Sequence, residues 1–349
     1  MPMRFAAIGL DHRHIYDLVG GLLDTGAECA GYWPRTSDER VLAGFRERFP
    51  AIPAVEERGA LLDDPSIEAV CCAAVPRDRA CLALEAMRHG KDVMLDKPGV
   101  TDRAGLDALR RGVAETGRIA SICFTERFLV ASVDAALRLV REGAVGRVVQ
   151  TIGLGPHRLN RAIRPGWFFE REAHGGILAD IASHQIDQFL VFTGSSDAQI
   201  VASSVGNFGM PDRPDFEDFG EILLRSSHAA GYVRVDWFTP DGLPTWGDGR
   251  LFILGTEGSI ELRKYIDVEG RPGRDHLFLA DRHGTRHIDC SGEPLTYFRR
   301  FLDDVRDRTE TAMAQEHAFT VCRLALEAQE SAKRLEPGAA RPAALENAR

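Results

Sequence analysis

Short apolar runs alternate with amphipathic stretches through the first third of the chain. Residues 4–9 have the length of a buried strand, and residues 15–23 follow with the apolar spacing of a helix face. Residues 28–33 form a second strand, and Ser37 is placed to cap a helix running to about Phe49. The run 67–75, IEAVCCAAV, is continuously apolar over a strand's length. Asp78 opens a helix that closes at Gly90, with His89 in its last turn, where a cation suits the helix dipole. A short strand at 92–95, a helix capped by Thr101 and a strand at 118–123 complete the region. Strands alternating with helices predict a parallel sheet covered on both faces.

The rhythm changes near residue 124. A helix over 130–142 ends at Gly143, and a strand follows at 148–154. A loop rich in Arg, Pro, His and Trp covers 156–174, and Gly175-Gly176 then opens an apolar helix over 177–192. Residues 199–261 are mostly strand-like and broken by Gly, Asp and Pro; strands without helices between them predict an antiparallel sheet. Two helices, near 294–308 and 315–335, finish the pattern. This divides the chain into 1–123, 124–335 and a tail, 336–349, whose Ala, Pro and Arg content predicts fraying.

A length of 349 residues suits two domains. The net charge of −9 argues against phosphate backbones and anionic membranes as partners. The first apolar run stops at Asp11-His12-Arg13, too early for a signal-peptide core, and no later run is long enough to span a bilayer, so a soluble, cytoplasmic protein is expected. Seven cysteines with no C-x-x-C pair, two of them adjacent at Cys71 and Cys72, suggest reduced buried thiols rather than a disulfide or zinc framework.

Chemistry enters at the first strand–turn–helix, where dinucleotide folds hold a pyrophosphate on the helix N-terminus. The usual fingerprint is G-x-G-x-x-G. Here the stretch is Gly9-Leu10-Asp11-His12-Arg13-His14, with only the first glycine. A carboxylate at Asp11 would repel phosphates unless it turned away. The second strand runs into Tyr32-Trp33-Pro34-Arg35-Thr36-Ser37, without the acid that binds an adenosine ribose in NAD enzymes. Arg35, Thr36 and Ser37 are instead suited to a 2'-phosphate, as in NADP, although Arg35 is equally a solvated loop residue.

Lys97, in Leu95-Asp96-Lys97-Pro98, follows a strand, and ligands of open α/β sheets sit beyond the strands' carboxyl ends. A lysine there can hydrogen-bond a hydroxyl and steady a developing alkoxide; a plain turn lysine is the alternative. Asp180 and His184 are four apart on an apolar helix and share a face. A carboxylate beside an imidazole orients the ring and favours its protonated form, which suits a base for an alcohol proton; a structural Asp–His pair is the alternative. No third ligand at metal-binding spacing accompanies them, so no metal is expected.

Taken in order, these segments resemble the glucose-fructose oxidoreductase, inositol dehydrogenase and MocA family. Asp96-Lys97-Pro98 is similar to its E-K-P, AMRHGKDV at 86–93 precedes it, and Thr101 to Leu106 is similar to its next helix. Arg127-Phe128, Gly143 to Gly146, Trp167, Gly175-Gly176 and Asp180, His184 and Asp187 follow in the family's order, and the resemblance extends to about residue 335. It implies an N-terminal Rossmann domain and a C-terminal α+β domain with a large open sheet that builds a homodimer or homotetramer. It implies NAD or NADP and a sugar, polyol or related carbohydrate-like alcohol. It makes Lys97, Asp180 and His184 the catalytic set, with His184 the proton acceptor. By position, Gly9, Asp11, His12, His14, Trp33, Arg35, Thr36, Ala74, Pro76 and Lys97 would line the cofactor. Arg77, Arg127, His157, Trp167, Asp180 and His184 would face the substrate. Arg161 and Arg164, in the same loop as His157, hint at an anionic ligand.

The chain departs from the pattern at Asp11 and His14, at the missing ribose acid, and at Arg77 and Ala80, where members commonly carry Asn and His. Two other readings stay open: a lyase or glycosidase that oxidises a sugar transiently and returns the hydride, and a non-catalytic sugar-binding protein.

Overall fold

The structure is a computed structural model that describes residues 2–336. The expectation for the tail lies almost wholly outside the described residues. Strands β1 (Arg4–Leu10), β2 (Glu28–Tyr32), β3 (Ala69–Ala73), β4 (Asp92–Asp96) and β5 (Ala120–Cys123) form one parallel sheet in the order β2-β1-β3-β4-β5. Every residue of β3, β4 and β5 is buried, as a sheet covered on both faces requires. Helices α1 (Ile15–Asp24), α2 (Glu39–Arg48), α3 (Arg58–Leu62), α4 (Pro76–Arg88) and α5 (Arg103–Thr116) make the connections. The strand order reverses between β1 and β3, and the crevice beyond their carboxyl ends is where ligands of such sheets bind.

Short α6 (Thr125–Phe128) and α7 (Ala131–Arg141) lead into β6 (Val148–Pro156), then α8 (Arg171–His174) and α9 (Ser183–Thr193). Strands β7 (Gln199–Gly206), β8 (Phe219–Arg225), β9 (Ala230–Asp236), β10 (Arg250–Gly255), β11 (Gly258–Arg263), β12 (His276–Asp281) and β13 (Gly284–Asp289) follow, then α10 (Tyr297–Asp307), α11 (Gln315–Ser331) and β14 (Lys333–Leu335). The second sheet has nine strands, ordered β13-β12-β11-β10-β6-β9-β8-β7-β14, with only the β6–β9 and β7–β14 pairs parallel. One face packs on α9 and α11. Its core is continuous with that of the first domain, while α7 and β10–β12 enclose a second cluster.

Several boundaries differ from the sequence expectation for local reasons. Asp38, not Ser37, caps α2, accepting from the Arg40 N–H at 3.1 Å, because the Ser37 hydroxyl is held by Asp11. Asp102, not Thr101, caps α5 through the Gly105 N–H at 2.7 Å. α4 starts at Pro76, whose missing N–H costs nothing at a first helical position. The last helix stops at Ser331, and Lys333–Leu335 pairs with Ser204–Gly206 as an added strand. Strands β12 and β13 lie beyond the region the pattern marked as sheet. All seven cysteines are free; six are buried and Cys81 is exposed.

Candidate functional site

The site lies where the carboxyl end of β4 meets the first turn of the helix leading into α9. Residues 178–182 form a π-helical turn immediately before α9. The extra residue in such a turn re-aims its side chains, and π turns recur at functional sites. Asp180 sits in this turn, and its Oδ1 accepts from Lys97 Nζ at 2.7 Å, while its backbone carbonyl accepts from the same ammonium at 3.0 Å. The pair is nearly enclosed, with Lys97 and Asp180 side chains 7% and 14% exposed. Burial pushes the Asp180 carboxyl up, but the Lys97 ammonium and its hydrogen bond, with a lesser effect from the nearby His174, outweigh it and hold the group well below the usual carboxylate range.

His184 lies one turn further on and is wholly buried. Burial drives its imidazole down to about 3, against the opposing charge of Glu126. Two parts of the sequence expectation are corrected here. Asp180 is committed to Lys97 and makes no hydrogen bond to His184, whose Nδ1 has no partner among the described residues. The resting imidazole is neutral rather than favoured in its protonated form, because burial outweighs the nearby carboxylates.

The Asp96 carboxylate, fully buried beside this pair, collects three donors. His14 Nδ1 is 2.8 Å away, His12 Nδ1 3.1 Å and the Arg79 guanidinium 2.9 Å. Burial alone would raise Asp96, but His14 and Arg79, with the imidazole hydrogen bonds, hold it well below its usual value. Arg79, itself 1% exposed, also donates to the carbonyls of Ala74, Asp96 and Lys97, so one guanidinium fixes the ends of β3 and β4. The ring nitrogens and carboxylate lie within 4.8 Å of one another, close enough to hold a metal ion. Arg79 on the same carboxylate opposes a further cation there, and hydrogen bonds account for the arrangement. Neither Asp96 nor Arg79 stands out in the sequence as a cofactor or catalytic residue; Asp96 is marked only by its place in Asp96-Lys97-Pro98, and Arg79 is one of three charged residues in a row at 77–79.

Near the end of β1, Gly9 has φ +81°, and a Cβ there would lie 2.6 Å from that of Ala74. Only glycine allows β1 and β3 to close together at the switch point. Asp11 does turn away: its Oδ1 accepts from the Ser37 N–H at 2.5 Å, the Ser37 hydroxyl at 2.7 Å and Thr36 at 3.3 Å, and Oδ2 from the Val75 N–H at 3.3 Å. Thr36 also donates to the Leu10 carbonyl at 2.8 Å. Trp33 donates to the Glu56 carbonyl at 3.2 Å and stacks under Arg58, while Arg35 is exposed without a hydrogen bond or ion pair to the described residues. Pro76 is buried at the start of α4. A closed glycine turn, an acid drawn off the helix N-terminus and a free arginine beyond β2 together fit a dinucleotide.

Of the residues expected at the substrate, His157 lies between Trp237 and Trp246, with ring centroids 5.3 and 4.6 Å away, and burial lowers it to about 4. Arg164 stacks over Phe168 and Trp237 and is lowered by burial to about 10, Asp180 opposing. Trp167 is buried with its indole N–H unpartnered. Arg77 is exposed and reaches Glu170 across the domain junction at 3.3 Å. Arg161 pairs with Asp212 away from this group. Arg127 is drawn to buried Asp187 at 2.8 Å, which also takes His317 at 2.7 Å, so the structure gives Arg127 a place between α6 and α9. Residues that sequence reasoning did not reach are Glu126 and Lys264, a buried ion pair behind His184.

Two family models match, described as "Oxidoreductase family, NAD-binding Rossmann fold" over residues 32–124 and "GFO/IDH/MocA C-terminal domain" over residues 133–261. A crystal structure of a protein from Erwinia carotovora atroseptica SCRI1043, assigned to the oxidoreductases, is 46% identical, with a TM-score of 0.92 over 96% of this chain and 100% of that one. The chain belongs to the Gfo/Idh/MocA family. Among its relatives, scyllo-inositol 2-dehydrogenase (NAD(+)) of Bacillus subtilis (strain 168) is 27% identical over 57% of this chain and only 56% of that protein's length. The levoglucosan dehydrogenase of Pseudarthrobacter phenanthrenivorans is 28% identical over 81% of this chain and 67% of its own. As a family member, the chain carries an NAD-binding Rossmann domain. No helix among the described residues is long and apolar enough to cross a membrane.

Proposed function

We propose that this protein transfers a hydride between a nicotinamide cofactor and a hydroxyl or keto carbon of a sugar, polyol or sugar acid. The observation that carries this is the Lys97–Asp180 ion pair at 2.7 Å, set between the nucleotide-type crevice and buried His184. The bound nicotinamide supplies the hydride acceptor or donor. Lys97, its ammonium held by the Asp180 carboxylate and carbonyl, keeps a proton free to donate to the substrate oxygen and steadies the alkoxide. His184 is neutral at rest and so ready to accept the hydroxyl proton. The aromatic pair about His157 offers flat apolar surface to a sugar ring, and Arg164 suits a carboxylate or phosphate on it. The open face of the nine-stranded sheet exposes Leu223 and Leu254, and we assign self-association to it.

The test is calorimetric titration with NAD, NADH, NADP and NADPH, followed by a polyol and sugar-acid screen with the nucleotide that binds. Net reduced nucleotide should form, and Lys97→Ala, Asp180→Asn and His184→Ala should each lower kcat by about a hundredfold or more in a folded protein. Full turnover in the triple variant would remove the catalytic assignment; no binding at millimolar nucleotide would remove the redox reading.

A further inference from the structure

The carboxylate that sequence spacing offers to His184 is Asp180, yet Asp180 is taken by Lys97. A second carboxylate lies behind the ring. Glu126, 1% exposed on α6, uses Oε2 to accept from Lys264 Nζ at 2.6 Å and from Gln185 Nε2 at 3.0 Å. Lys264, the residue after β11, is completely buried, so the pair sits far from solvent screening. Gln185 is the neighbour of His184, and it reaches Glu126 because α9 lies close on β6. A Cβ at Gly153 would fall 2.7 Å from Gln185 Cγ. Phe124, two residues before Glu126, places its ring edge-on to His184 at 6.2 Å between centroids.

Three polar atoms in this nest are left without partners among the described residues: Glu126 Oε1, Gln185 Oε1 and His184 Nδ1. Buried polar atoms are rarely left unpaired, so each calls for an explanation. Glu126 and His184 are groups that the reaction would bring into play.

We propose that Glu126 is a positioning residue for His184, the buried counter-charge that steadies the imidazolium formed when His184 takes the substrate's proton, and that Lys264 keeps it ionised at rest. This rests on the reading of His184 as proton acceptor. In the oxidation, the substrate O–H bond breaks and an N–H bond forms on His184. The carbinol C–H pair leaves as hydride to the oxidised nicotinamide, and the proton later passes from His184 to solvent.

The titratable groups around the ring are Lys97 beyond β4, paired with Asp180 in the π turn, His157 beyond β6, neutral at rest, Lys264 beyond β11 and Glu126 on α6. Lys97 balances Asp180 and Lys264 balances Glu126, so the resting nest is neutral and an imidazolium adds one net positive charge. After burial, Glu126 acts most strongly on the ring and in the direction of protonation; Lys97, His157 and Lys264 act against it. Further along α9, Asp187 is occupied by Arg127 and His317.

The test compares Glu126→Gln, Glu126→Asp and Lys264→Met by pH dependence of kcat/KM and by NMR of labelled histidine, with His184 assigned through His184→Asn. Glu126→Gln should lower kcat by about tenfold or more while KM stays within about threefold, and Glu126→Asp, which keeps the charge, should recover most of that loss. Lys264→Met, which lets the buried Glu126 take up a proton, should reproduce the kcat loss of Glu126→Gln and change the His184 ring signals, seen by NMR without any substrate. If Lys264→Met does not fold, the contrast between Gln and Asp at position 126 carries the test. The proposal is overturned if Glu126→Gln and Glu126→Asp behave alike or if His184 does not respond to loss of Lys264. If His184→Ala retains full turnover, the reading of His184 has failed instead.

Discussion

Asp11, after β1, and Arg35, after β2, show how a crevice can look repellent in sequence and be compatible in space. The Asp11 carboxylate is fully engaged by Ser37, Thr36 and Val75, so its charge faces the loop after β2 rather than the first turn of α1. Arg35 is exposed beyond β2 and makes no hydrogen bond or ion pair with the described residues. If NADP is the cofactor, Arg35→Ala should weaken NADP(H) by about tenfold, the loss expected for one charge-assisted contact, and leave NAD(H) unaffected. Calorimetry with both nucleotide pairs checks this; equal affinities before and after the change would make Arg35 a solvated loop residue.

Among the elements, the ends of β3 and β4 depend on one buried guanidinium. Arg79 bridges Asp96 and the carbonyls of Ala74 and Lys97, while Asp96 in turn fixes His12 and His14 just before α1. Removing it leaves a buried carboxylate without its strongest donor. Arg79→Leu should therefore cost about 3–5 kcal/mol in denaturant unfolding, far more than loss of an exposed pair such as Arg103–Glu330. A loss under about 1 kcal/mol would mean that the histidines alone satisfy Asp96. The π turn acts at the same scale. It lets Asp180 meet Lys97 while α9 carries His184 toward Glu126, so two carboxylates serve two different groups.

Across the whole molecule, the buried neutral histidines set the acid limit. His184 and His174 are nearly inaccessible and burial lowers both, His184 to about 3. Their folded values lie below the unfolded value near 6.5, so between those limits the unfolded chain binds more protons. Stability is then complete above about 6.5 and falls with decreasing pH, by about 1.4 kcal/mol per pH unit for each histidine kept neutral. The depressed carboxyls of Glu126, at about 2, and of Asp96 and Asp180 add a second loss below their unfolded values near 4. Denaturant midpoints should drop between pH 7 and 5; a flat profile there would show that these imidazoles are not held neutral.

The sequence determined the strand–helix alternation of the first domain, its buried parallel sheet and the position of Lys97 at a strand end, because each follows from local apolar spacing and from where chain direction must change. It also marked Asp180 and His184 as polar residues in an apolar helix. What they pair with was decided only by the tertiary structure. Glu126 meets Lys264 across 138 positions and Lys97 meets Asp180 across 83, distances at which spacing carries no information. The π turn, the strand added by Lys333–Leu335 and the engagement of Asp11 by Ser37 likewise depend on partners that folding brings together. Local pattern fixes which residues are buried; the charge a buried group feels comes from the chain packed against it.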